Sequence, residues 1–125
     1  MASTVSSVAD PLAAKFIKHT GSTTTVAAED HVTGTGSNTT YGFQCENLGT
    51  AAAYLKLDDS TNATAASSQE EIRLYAPAGS TVSYLVGSGF IFGAGISYWI
   101  TTTAASSTTQ TAPSDSVTVK ILSTA

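Results

Sequence analysis

Ser116-Val-Thr-Val-Lys-Ile-Leu122 alternates residue by residue: Val117, Val119 and Ile121 fall on one side, Thr118, Lys120 and Leu122 on the other. A period of two is the mark of a strand with one buried and one wet face. The same period runs back through the chain. Ile96 to Thr101 sets Ile96, Tyr98 and Ile100 opposite Ser97, Trp99 and Thr101. Thr81 to Val86 aligns Val82, Tyr84 and Val86, and Glu71 to Tyr75 sets Ile72 and Leu74 opposite Arg73 and Tyr75. Ala52 to Leu57 aligns Ala53, Leu55 and Leu57 against Tyr54 and Lys56. In Thr40 to Leu48, Tyr41, Phe43 and Cys45 share a side against Gly42, Gln44 and Glu46, and Ala14 to His19 makes a short first strand. β-Branched and aromatic residues favour this conformation.

Turn-forming residues separate the runs: Gly34 to Asn38, Asn47 to Gly49, Asp58 to Asn62, Pro77 to Gly79, Gly87 to Gly89 and Pro113 to Asp115. Ala63 to Glu71 is the best helical candidate, and it is short. Parallel strands need long crossovers, usually helical. The sequence therefore predicts an all-β fold: an antiparallel β-sandwich, jelly-roll-like, spanning residues 12–125 as a single domain. Met1 to Pro11, polar and small, reads as an extended N-terminal arm. Thr101 to Pro113, mostly Thr, Ser and Ala, reads as a long exposed loop.

Composition narrows the function. The 125 residues include 17 serines and 21 threonines but only five cations and nine acids, for a net charge of −4. The cations, Lys15, Lys18, Lys56, Arg73 and Lys120, are scattered. Nucleic-acid binding through counterion release needs them clustered. At 42% hydrophobic with low net charge, the chain can collapse rather than stay disordered. No stretch of about 18 apolar residues is present to span a membrane. Met1-Ala-Ser-Thr-Val5 lacks the basic and apolar regions of a secretory signal, so Asn38-Thr-Thr40 and Asn62-Ala-Thr64 read as chance sequon matches. A single cysteine, Cys45, excludes an internal disulfide.

Chemistry-bearing patterns are weak. His19 and His31, with Glu29 and Asp30 beside the second, match no zinc spacing. Asp58, Ser60 and Asn62 alternate like the start of a calcium loop, but Ala63 stands where glycine is needed and Gln69 where glutamate is needed. A hairpin turn explains them equally well. Val86-Gly-Ser-Gly-Phe90 fails the nucleophile-elbow spacing. No pair among the nine acids stands out for glycosidase chemistry. Gly87 to Gly93 lacks the lysine and helix of a phosphate loop. The reading is that the chain has no catalytic residues, no metal ligands and no cofactor.

The strongest local feature is Gly87-Ser-Gly-Phe-Ile-Phe-Gly-Ala-Gly95, followed by Trp99. One reading is a glycine-hinged connection whose Phe90 and Phe92 plug one end of the core. The other makes Phe90, Ile91, Phe92 and Trp99 a partner interface, because aromatic residues are enriched there. Trp99 lies opposite the core side of its strand, so it is exposed unless something covers it.

Ile72-Arg-Leu-Tyr-Ala-Pro-Ala-Gly79, Phe90-Ile-Phe-Gly-Ala-Gly-Ile-Ser-Tyr98, Thr101-Thr-Thr-Ala-Ala105 and Asp115-Ser-Val-Thr-Val-Lys-Ile-Leu122 together give residues 70–122 a further meaning. This region resembles the capsid cement, or decoration, proteins of tailed bacteriophages. The resemblance implies a β-rich homo-oligomer, often a trimer, that binds the major capsid protein on the outer shell of the virion and reinforces it. Such a protein is made in the bacterial host cytoplasm. It implies no catalysis, and no individual site residue carries over. Two other classes compete. A carbohydrate-binding module of a tail fibre would use Tyr41, Tyr54, Tyr75, Tyr84 and Trp99 as a stacking platform. A hydrolase would use His19, His31 and an acid.

Overall fold

A strand that hides one face needs a second layer to hide it against. The computed structural model meets that need with two sheets. It describes residues 15–21, 27–28 and 38–124. The proposed arm, Met1 to Pro11, and His31 lie outside the described residues, as does the side chain of His19. Eight strands follow in order: β1 (Lys15–Gly21), β2 (Ala27–Ala28), β3 (Asn38–Asn47), β4 (Ala53–Asp59), β5 (Ile72–Ala76), β6 (Ser80–Phe92), β7 (Ile96–Thr101) and β8 (Val117–Ser123). There is no helix among the described residues. Ala63 to Glu71 makes only one turn, with Ser67 and Ser68 N–H donating to the Thr64 carbonyl.

One sheet has the order β1-β8-β3-β6, the other β2-β7-β4-β5, and every pairing is antiparallel. We call these sheets A and B. The pairs β1–β8, β2–β7, β3–β6 and β4–β5 are nested one inside the next. The chain is thus one long hairpin with its tip at the β4–β5 link, rolled so that alternate pairs fall in opposite sheets. The fold is an antiparallel β-sandwich.

The inner faces are those the alternation marks. Ala53, Leu55 and Leu57 of β4, Leu74 and Ala76 of β5 and Ile96, Tyr98 and Ile100 of β7 meet Phe43 and Cys45 of β3 and Val117, Val119 and Ile121 of β8. Two expectations change. In β3 the inward place expected for Tyr41 goes to Thr40, which is fully buried, because the strand bulges between Thr40 and Gly42. The extra residue reverses the facing on one side of it. And Gly87 to Gly89 is no turn. β6 continues through it to Phe92, with Val86 to Gly89 bulging opposite Tyr41. Gly89 sits there at φ +82°, and a Cβ on it would lie 2.2 Å from Thr39 Cγ2. Both the left-handed backbone and the close approach require glycine. The reversal itself comes at Gly93 to Gly95.

Candidate partner interface

The outer face of sheet B is closed over β7 and Lys56 and open along β5, where Arg73 and Tyr75 are half-exposed. It carries Tyr54 and Lys56 from β4, Arg73 and Tyr75 from β5 and Ser97, Trp99 and Thr101 from β7. All six residues of β7 are buried, on both faces. The cover is the segment after β7, expected as an exposed loop. It folds back and fastens to itself and to the sheet through hydroxyls and carbonyls. Thr101 Oγ1 and Thr102 N–H donate to the Thr111 carbonyl at 2.9 and 2.8 Å, and Thr111 N–H donates to Thr103 Oγ1 at 3.0 Å. Gln110 Nε2 donates to the carbonyls of Ala105 and Thr108. Hydroxyl-rich sequence supplies these local bonds where no strand ladder does.

Lys56 is the tether. Its side chain is fully buried, and Nζ donates to the Ala105 carbonyl at 2.7 Å and to Gln110 Oε1 at 2.9 Å. Glu70 lies 3.9 Å from Lys56 and 3.6 Å from Arg73, and its Oε1 accepts from Ser106 Oγ at 2.8 Å. Arg73 also donates to the Ala104 carbonyl. Burial pushes the Lys56 ammonium below its ordinary value; the Glu70 carboxylate opposes this and Arg73 adds to it. Lys56 pairs in register with Trp99, so this polar clamp lies beside the indole.

Trp99, 1% exposed, is therefore covered by the chain itself. Phe92 is fully buried, its ring 4.9 Å from Phe90 and 6.4 Å from Phe43. Phe90 is half-buried against the core. Of the four residues proposed as a partner interface, Ile91, 64% exposed, presents its side chain to the surface, and half-buried Phe90 reaches it at a cleft. Trp99 and Phe92 are withdrawn because the first is buried beside the Lys56 clamp and the second points between the sheets.

Ile91 belongs to a different surface. β6 and β5 are the edge strands on one flank of the sandwich. Tyr84 (52% exposed), Leu85 (76%) and Ile91 all stand on β6. Between the flanking strands a cleft of about 300 Å³ opens, lined by Glu71, Ile72, Arg73, Leu74, Tyr84 and Phe90. A second shallow groove of similar volume lies on the outer face of sheet A, where Gly42 leaves space beside Leu85, Leu122, Lys120, Gln44 and Ser83.

The aromatic platform does not assemble. Tyr54 and Tyr75 pair at 5.2 Å on sheet B, with Tyr75 half-exposed. Tyr41 and Tyr84 belong to sheet A, and Trp99 is buried.

The Asp58 to Asn62 turn has a use the sequence did not reveal. Asp59 Oδ2 accepts from Gly93 N–H at 2.9 Å, and Oδ1 from Ala94 and Gly95 N–H at 2.7 and 3.3 Å. Successive backbone N–H groups make a concave anion seat, and here the chain fills it with its own carboxylate. Burial alone would raise the Asp59 carboxyl, but the donors from Ala94, Gly93 and Gly95 together outweigh it and hold the group below the usual range. Asp58 moves the other way, raised by burial, then by Glu71 and Asp59. Asn47 does similar work at the opposite end. Its buried Nδ2 donates to the Ala51 and Ala76 carbonyls and its Oδ1 accepts from Gly49 N–H. No local sequence signal marks the Asp59 seat, because its donors, Gly93 to Gly95, lie far along the chain.

No protein-family model, curated protein or solved structure matches this chain.

Proposed function

We propose that this chain is a non-enzymatic structural subunit of a tailed-phage virion, a cement protein that binds the major capsid protein on the outer shell. The observation that carries the reading is the strand order β1-β8-β3-β6 facing β2-β7-β4-β5. We read it as a jelly roll, an architecture used by viral shell proteins. Fold alone is analogy, and the second support is where the resembling segments fall. They form β5 with its turn, the β6–β7 reversal, the clamp over Lys56 and strand β8. The resemblance thus rests on packed elements of both sheets. Adhesion of this kind needs many moderate contacts repeated over a symmetric surface, which compound through effective concentration. An acidic, sparsely charged chain makes them without adsorbing to the packaged genome. An antibody to the chain should label the outer shell of purified virions in electron micrographs. Virions that lack the chain there would remove the cement role.

A carbohydrate-binding tail module is the second reading, favoured by the Tyr54–Tyr75 pair on sheet B. Aromatic faces stack on apolar ligand surfaces while the phenol end stays wet. A glycan array without hits would dispose of it.

A further inference from the structure

We propose that the free edge of β6 joins two copies of this chain, edge to edge about a two-fold axis. This goes beyond the reading above, and it puts a two-fold pair in place of the trimer that the resemblance implies. The argument starts from what an edge strand costs. Its outward N–H and C=O groups are an open template for another strand, and natural proteins guard such edges with lysine, proline or brevity. Three of the four edges are guarded in this way. β1 carries Lys15 and Lys18, β5 carries Arg73, and β2 has two residues. β6 is the longest strand, 13 residues, and Ser80-Thr-Val-Ser-Tyr-Leu-Val-Gly-Ser-Gly-Phe-Ile-Phe92 contains neither a charge nor a proline. No described strand pairs with its second edge. The same strand bears three of the five large exposed apolar side chains among the described residues, Tyr84, Leu85 and Ile91.

The charge pattern selects the occupant. With a net charge of −4, copies of this chain repel one another on balance. β6 is a neutral strip on which two copies meet without that repulsion. A basic or polyanionic partner would find no charge to pair with there. Self-pairing also avoids burying the lysines of β1, which a ring built from β6 against β1 would require. Antiparallel pairing about a two-fold axis is self-complementary, and it would extend sheet A from four strands to eight.

The regular part of the edge is Thr81 to Leu85, since Ser80 N–H already donates to the Pro77 carbonyl and Val86 to Gly89 bulge. Pairing over so short a run makes a contact smaller than the roughly 1,600 Å² of a standard interface. The pair is therefore concentration-dependent.

Sedimentation equilibrium of the full chain, in a series reaching about 1 mM, tests the proposal without any capsid. The expected result is a shift from 12.7 kDa towards twice that mass. Ser83→Lys and Leu85→Lys each place two like charges across the axis. Each should weaken association by about tenfold or more while keeping the far-ultraviolet spectrum of the wild type. A single-chain mass throughout the series overturns the proposal. So does a three-chain mass, which would keep the oligomeric reading and refute the two-fold edge. Association unchanged in both folded variants also overturns it.

Discussion

Replacing Lys56 with methionine removes one charge from a clamp that holds residues 102–113 against sheet B. Lys56 is fully buried and its ammonium makes two hydrogen bonds, to Ala105 and Gln110, besides facing Glu70. Methionine keeps most of the volume, so little of the effect comes from a cavity. What remains is a carboxylate, 4% exposed, that has lost its nearest buried cation. Its Oε2 has no hydrogen-bond partner among the described residues. Breaking a buried pair from one side costs about 3–5 kcal/mol. Arg73, 3.6 Å from Glu70 but half-exposed, retains part of the compensation. The low end, about 3 kcal/mol, is the expected loss. At this chain length that lowers Tm by about 12 °C. Adding Glu70→Gln to Lys56→Met removes the stranded charge, so the double variant should lose less than the sum of the two singles. Thermal unfolding by circular dichroism measures both. Elastase cleavage at Ala104 and Ala105 should quicken in the single variant below its melting temperature. A Tm within about 2 °C of wild type for Lys56→Met would refute the clamp.

Four further outcomes follow from the same geometry. Gly89→Ala meets Thr39 Cγ2 at 2.2 Å, whereas Gly79→Ala, also at positive φ, meets nothing within 4 Å. The first should destabilise by at least about 1 kcal/mol more than the second in urea titration, and equal losses would contradict the bulge packing. Asp58 has its folded pKa raised above 3.8 by burial, so the stability it contributes at low pH is lost as pH rises through that folded value. Asp58→Asn should therefore raise Tm at neutral pH and give no gain in strong acid; a lowered neutral Tm would contradict this. Asp59, with its pKa depressed, stabilises the fold above 3.8 and loses that contribution as pH falls through its folded value. Acid melts of Asp59→Asn should be less pH-dependent than those of wild type. Burial pushes the Cys45 thiol up to about 11, so maleimide should label it only at the rate of unfolding; rapid labelling of the native chain would place it outside the core.

Strand content was legible because one physical rule, burial of alternate side chains, writes itself into neighbouring residues. Val117, Val119 and Ile121, or Ala53, Leu55 and Leu57, show it without ambiguity. The rule fails where backbone geometry changes phase. Tyr41 reads as inward until the bulge at its own position hands that place to Thr40. Gly87 to Gly89 reads as a turn because glycine is the residue of turns, yet glycine equally permits a bulge inside a long strand. β2, two alanines, has too few residues for any period. The alternation sets Trp99 on the correct side of its strand, opposite Ile100 and Tyr98. Its burial goes with the return of a segment with no periodicity, held by hydroxyls whose partners are eight or more residues away. Lys56 was the available clue. A buried cation in the middle of an alternating strand needs a partner, and the one Lys56 takes, Glu70, comes from another segment of the chain.

That clamp changes what the hydroxyl-rich composition means for adhesion. Thr101, Thr103 and Ser106 spend their hydroxyls on Thr111 and Glu70, so they are structural rather than adhesive. Over β7 and Lys56 the outer face of sheet B has already been given its cover. The face left open is that of sheet A, with Gln44, Ser83, Thr118 and Lys120 around the groove at Gly42. If the chain binds a shell, this face can meet it broadly without first displacing part of the fold. The β6 edge runs along its border, at right angles to the face in the direction of contact. Copies joined through β6 would present two such faces side by side, and each weak contact would raise the local concentration of the next. Shell binding and self-association then separate cleanly by mutation. Lys120→Glu, on the open face and away from the edge, should weaken binding to shells while leaving sedimentation unchanged, and the opposite result would mean that the two surfaces have been assigned the wrong way round.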